Sequence, residues 1–245
     1  MPGHRFGKHP RQIDYHTLRL ENYLTSKLAA TPATFNAPTE VYSKLGMSDP
    51  TKLFLMDDNS TYGDCGDCTI AGVAHAIMVY RGKVIMTTQV VLKLYFHLTG
   101  GNDTGLNELN VLNYWRSNAV SGDRILVFVA INQKNHVHVE QAIQLFGGVH
   151  LGFQVQQNCI QEFDARKPWT PGPLTNYGHA VYAVAYDSTG VTVLTWGNTQ
   201  KGTWAWWDEC VDEAYAILPP EAEITGFDPG FNFAQLKADL GAVAH

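Results

Sequence analysis

YGDCGDCTIAGVAHA, residues 62–76, decides how the rest of this chain is read. Two Gly-Asp-Cys units run into a segment in which Ile70, Val73, Ala74 and Ile77 recur at helical spacing. The second cysteine, Cys68, therefore falls on the first turn of a helix, with Asp67 as an N-cap. The unpaired N–H groups of a first turn and the positive end of the helix dipole favour a thiolate there. The competing expectation is a buried, inert cysteine, because free cysteines pack as small apolar groups.

Residues 177–207, YGHAVYAVAYDSTGVTVLTWGNTQKGTWAWW, supply the possible partners. His179 opens an apolar run, the turn Asp187-Ser188-Thr189-Gly190 follows, and a second run leads to Trp196-Gly197-Asn198. A third run begins after Lys201-Gly202, so the segment is expected to be an antiparallel meander. Folding the hairpin about Ser188-Thr189 brings His179 near Asn198. A cysteine at a helix tip, a histidine at a strand start and an amide on the paired strand can serve as nucleophile, general base and orienting group.

With Cys65-Gly66-Asp67-Cys68, His179-Ala180-Val181 and Trp196-Gly197 in place, the chain resembles the papain-like cysteine peptidases over about residues 40–218. The resemblance implies an α+β, two-lobed fold, a helical lobe followed by an antiparallel, barrel-like sheet lobe, with the site in the cleft between them. It implies Cys68 as nucleophile and His179 as base, with the third position filled by Asn198 from turn geometry or by Thr195 from ungapped alignment. Gly100, Gly101 and Asn102 fall at the family's substrate-lining loop, with Trp196 also expected at the cleft. The family's oxyanion glutamine is Tyr62 here, so the Tyr62 hydroxyl or Asn59 would stand in its place, and Thr69 replaces the usual aromatic after the nucleophile. Asp64 and Asp67 oppose the helix dipole at the thiol. The resemblance also implies that Cys65 pairs in a disulfide, with Cys159 as the first partner to test.

The implied activity is thiol-dependent acyl transfer, foremost hydrolysis of peptide or amide bonds through an acyl-enzyme, without cofactor or metal. An esterase, deamidase or acyltransferase on the same Cys-His pair is one alternative; a non-catalytic binding or structural module of the same fold is the other. The expected partner is a peptide or a small acyl or amide substrate.

Composition agrees with a folded domain: 245 residues, 45% hydrophobic and 16% charged. A net charge of −6 without basic runs argues against a nucleic-acid surface. Four cysteines are too few for a disulfide scaffold of this size, and a zinc site would need a second ligand pair beside Cys65 and Cys68. Neither a secretory h-region nor a membrane-length apolar run is visible, so no membrane contact and a cytoplasmic location are expected. The expected organisation is an N-terminal arm or prosegment-like extension over 1–40, a catalytic domain over 41–218 and a C-terminal extension over 219–245. Within the catalytic domain the helical lobe covers about 41–124 and the sheet lobe about 125–218. Leu18, Leu20, Leu24 and Leu28 suggest a short helix in the arm, and a closing helix is expected over Phe231 to Leu240. His136-Val137-His138 begins a helical pattern rather than a metal site, since residues two apart on a helix do not face each other.

Overall fold

A computed structural model describes residues 4–37, 65–81, 86–220 and 228–243. Asn59, Tyr62 and Asp64 lie outside the described residues. In chain order, β1 (Phe35–Asn36) precedes three helices, α1 (Cys68–Arg81), α2 (Thr88–Leu98) and α3 (Glu108–Ser117). There follow β2 (Val127–Ala130), α4 (His136–Phe146), β3 (Val149–Gln156), α5 (Cys159–Asp164), β4 (Leu174–Asp187), β5 (Gly190–Thr195) and β6 (Asn198–Thr203). The chain closes with α6 (Trp204–Cys210), β7 (Val211–Leu218) and α7 (Phe233–Val243). The strands form one antiparallel sheet ordered β2-β7-β3-β4-β5-β6, with β1 added to β4 through Phe35 opposite Tyr186.

Period-two alternation divides the sheet into two faces, each with its own core. Val181 and Ala183 of β4 face Val139, Ile143 and Phe146 of α4 with Trp206 and Trp207 of α6. Tyr182 and Val184 face Ile70, Val73 and Ile77 of α1, backed by Tyr95 of α2 and Trp115 of α3. Helix α1 is consequently covered on all sides: every residue from Cys68 to Val79 is buried. Its small residues permit this. A Cβ added to Gly72 would lie 2.4 Å from the His150 ring on β3, so the helix and strand touch there.

Local signals set the helix ends. Thr87 caps α2, its hydroxyl accepting from the Val90 N–H, and Gly100 and Gly101 follow that helix with φ of 64° and 88°. Helix α3 starts at Glu108 because Asn107 caps it, leaving Leu106 free to pair elsewhere. Helix α4 is capped by Asn135 and ended by left-handed Gly147. His136 opens α4 as the pattern predicts, bonding Asp208 at 2.7 Å and stacking on Trp204.

Several expectations need correction. The leucines of the arm yield only a 3-10 turn, Leu20–Asn22, because Leu20 and Tyr23 are buried by tertiary packing, Tyr23 bonding Asp239 of α7. The third run of the meander is the earlier segment β6; Thr203 caps Trp206 and turns the tryptophan-rich stretch into α6. The closing helix begins two residues later than expected, at Phe233. The sheet is open, β2 and β6 forming its two edges, so the barrel-like closure does not form. Cys159 is a free thiol packed in the α4 and α6 core, whereas Cys65 belongs to the α1 core across the sheet, so the Cys65–Cys159 disulfide does not form. No helix among the described residues is long and apolar enough to cross a membrane.

Candidate active site

Cys68 opens α1, where the Asp67 carbonyl accepts from the Ile70 and Ala71 N–H groups at 2.9 and 3.1 Å. β4 crosses beside it, and the backbone N–H of Ala180, the residue after His179, points at the Cys68 sulfur. Cys68 is thus set against the residue that follows His179 in the chain. The His179 ring is bonded through Nε2 to Thr195 Oγ1 at 2.8 Å, while its Nδ1 has no hydrogen-bond partner among the described residues.

Of the two candidates for the third position, Thr195 bonds the His179 ring and Asn198 does not. Trp196 and Gly197 both have positive φ, 47° and 68°, and form a two-residue turn that pairs Thr195 with Asn198. This turn ends β5 one residue past Leu194 and carries Asn198 onto β6, exposed, its Oδ1 taken by the Thr199 N–H at 2.9 Å. The hairpin also carries a register shift between Ala183 and Ala185, which a simple fold about Ser188-Thr189 does not anticipate. Trp196, held in the left-handed region, stacks on His179 at 4.5 Å and 18°.

The groove at this site is occupied by the chain's own N-terminal arm. Lys8 N–H donates to the Gly178 carbonyl at 3.1 Å, His9 N–H to the Leu106 carbonyl at 2.9 Å, and Leu106 N–H to the Gly7 carbonyl at 2.8 Å. Residues 7–9 therefore form an extended strand bonded to both walls. Glycines make this approach feasible: a Cβ on Gly7 would lie 1.8 Å from the Gly66 carbonyl, and one on Gly105 would lie 2.3 Å from the Gly7 carbonyl. Phe6 sets its edge against His179 at 5.7 Å, and His4 stacks on the far face of Trp196 at 4.5 Å.

Electrostatics follow from this cover. Burial pushes the Cys68 thiol up to about 12; the N–H groups of Ala180 and Gly7 pull against it, and Asp67 and Glu108 add to it. Burial, with a lesser contribution from His4, pushes His179 down to about 3. The arm-docked form holds a neutral thiol and a neutral imidazole at pH 7, where the helix tip alone would lower the thiol. Desolvation outweighs the helix terminus because Cys68 has no exposed surface.

The expected cleft loop is displaced along the chain. Gly100, Gly101 and Asn102 are exposed at the end of α2, whereas the backbone that lines the groove is Gly105-Leu106, beyond them. Asp103 ties that loop to the cysteine turn, accepting from Gly66 N–H at 2.8 Å and from Tyr95 hydroxyl at 2.6 Å, and the same hydroxyl accepts from Gly105 N–H. Asp103, Gly105, Gly7 and Lys8 carry no periodic signal. The Gly7-Lys8 pair inside a polar N-terminus was the only local hint.

The architecture is that of the papain-like cysteine proteases. It is similar to xylellain, a cysteine protease from Xylella fastidiosa, with a TM-score of 0.62 at 15% identity over 87% of this chain and 95% of that one. The procathepsin B S9 of Trypanosoma congolense matches with a TM-score of 0.60 at 12% identity over 87% and 86% of the two chains. The digestive procathepsin L 3 of Tenebrio molitor matches with a TM-score of 0.54 at 12% identity over 83% and 76%. No protein-family model matches the sequence, and no curated protein is significantly similar to it.

Proposed function

We propose that this chain is a thiol-dependent hydrolase of peptide or amide bonds whose resting form is sealed by residues 4–9. One observation carries the proposal: an extended strand already lies bonded across the Cys68 tip and the His179 ring, the position a substrate chain would take. With the arm displaced, a substrate would take up the Gly178 carbonyl and the Leu106 N–H and carbonyl. The Cys68 sulfur would attack the scissile carbonyl, forming an S–C bond, while the thiol proton passes to His179 Nδ1. That proton then moves to the leaving amine as the C–N bond breaks; water adds to the thioester, giving a proton to His179, and the C–S bond breaks to release the acid while the proton returns to the thiol. The Cys68 N–H faces the developing oxyanion, a donor of a kind worth about 3 kcal/mol. Thr195 holds the ring from Nε2 and fixes which nitrogen is left for the proton transfer.

The test is covalent trapping. A p-nitrophenyl ester and a matched anilide are offered to the full chain, the reaction is quenched in acid, and the acyl group is located by peptide mass. The expected adduct lies on the peptide containing Cys68. Turnover of the ester alone, with an inert anilide, would move the reading to an esterase or acyltransferase on the same pair. A second reading, a non-catalytic module, is favoured by the sealed thiol, and absence of any adduct would support it.

The role of Thr195 has its own expected outcome. Thr195→Val keeps shape but removes the only polar group bonded to the ring among the described residues, so the hydrolysis rate is expected to fall about tenfold to a hundredfold. Thr195→Ser should restore it to within about threefold, since the hydroxyl is retained. Equal rates for Val and native chains would show that the ring is held by Trp196 stacking alone.

A further inference from the structure

Lys8 does more than lie in the groove. Its side chain enters a closed acidic pocket, where Nζ reaches Glu213 Oε1 at 2.8 Å and Asp212 Oδ1 at 3.0 Å with the side chain only 1% exposed. Glu213 is held from behind by the Tyr215 hydroxyl, which donates at 2.9 Å. Gly152 forms the wall: a Cβ there would lie 1.9 Å from Lys8 Cε and 2.9 Å from Glu108 Oε1, so the glycine leaves room for an aliphatic stem. Glu108 is fully buried, and neither of its oxygens has a hydrogen-bond partner among the described residues. His150 approaches it at 3.7 Å but is held neutral by burial, its value pushed down to about 3.

We propose that this pocket recognises a lysine or arginine side chain of an extended peptide bound in the groove, Lys8 being the arm's own occupant of it. The proposal rests on the hydrolase reading for what happens to that peptide and on the pocket alone for which peptide it is. The backbone bonds of residues 7–9 use only N–H and C=O groups, so any extended chain can make them. Selection falls to the side chain. Glu213 and Asp212 pair with one ammonium and Glu108, held above the ordinary carboxylate range by burial, lies beside them, so the entering chain must supply the cation, and both Glu108 oxygens are open to the extra donors of a guanidinium. A neutral or acidic side chain would leave buried carboxylates unpaired, which rejects it more strongly than any contact attracts it. Burial alone would lower the pKa of Lys8, but Glu108, Glu213 and Asp212 outweigh it and keep the ammonium charged.

Two measurements on the full chain test this. Binding is read by fluorescence anisotropy on a Lys8→Met, Cys68→Ala chain, where the arm lacks its anchor and no turnover occurs, using acetylated hexapeptides with lysine scanned through a neutral host. Lysine or arginine at one position is expected to bind at least about tenfold tighter than norleucine there. Adding Glu213→Gln is expected to reduce that ratio to below about threefold. The native chain is assayed for hydrolysis of the same peptides, with the same preference expected in kcat/KM, and this serves if the Met variant does not fold. Equal binding of lysine and norleucine, or a preference for norleucine in either assay, overturns the proposal and leaves the pocket as an anchor for this arm only. Selective binding without hydrolysis supports the pocket and sinks the hydrolase reading instead.

Discussion

Cys68→Ala is expected to reduce hydrolysis to background, a loss on the order of 10⁵-fold where the native rate is high enough to show it. Asn198→Ala is expected to change it by less than about twofold. The contrast comes from position. The Cys68 sulfur lies at the tip of α1 beside the N–H of Ala180, the residue that follows His179 in the chain. Asn198 lies beyond the Trp196-Gly197 turn, exposed, with its side chain committed to the Thr199 N–H. The measurement is initial rate on the anilide and ester used for trapping. Residual activity in Cys68→Ala near the native value would place the chemistry elsewhere, and a large loss in Asn198→Ala would mean that the working form pairs this hairpin differently.

Much of the fold and half of the site could be read from local pattern. The limits of α1 and α2 and the β4–β5 hairpin follow from apolar periodicity, an N-cap and glycine stops, which act over a few residues. Cys68 and His179 stood out because their neighbours are chemically unusual for a helix start and a strand. What escaped is what local pattern does not encode. Trp196 is a bulky residue in a left-handed turn, a conformation that its type disfavours and that stacking on His179 and His4 holds in place. The Thr203 cap turned a strand-like tryptophan run into α6. The arm was visible as an extension, but its contacts join Lys8 to Leu106, Gly178 and Glu213, pairings set by closure of the whole chain. Burial reverses the expected thiol chemistry: a helix tip lowers a cysteine pKa only while water or a cation can reach it, and here the sulfur is fully buried with the Gly7 N–H of the arm against it.

That cover leads to the second large effect. Lys8→Ala is expected to speed alkylation of Cys68 by iodoacetamide at neutral pH on the order of a hundredfold. In the docked arm Lys8 is the cation among Glu108, Glu213 and Asp212, and Glu213 is as deeply buried as Lys8 itself. Removing one partner of such a buried pair costs about 3 kcal/mol or more, because the carboxylates left behind are buried without a counter-charge. When the arm lifts, those carboxylates meet water, so the cost falls on the docked state and shifts the opening equilibrium by about two decades. Arg5 is the control. Its guanidinium sits 3.4 Å from Asp103 with the side chain 59% exposed, a surface pair of about 0–1 kcal/mol, so Arg5→Ala should change the rate by no more than about fivefold. The rate is followed by mass of the Cys68 peptide. An unchanged rate in Lys8→Ala would mean that the body of the protein, not the arm, seals the sulfur, and the resting-state reading would give way to a permanently buried thiol.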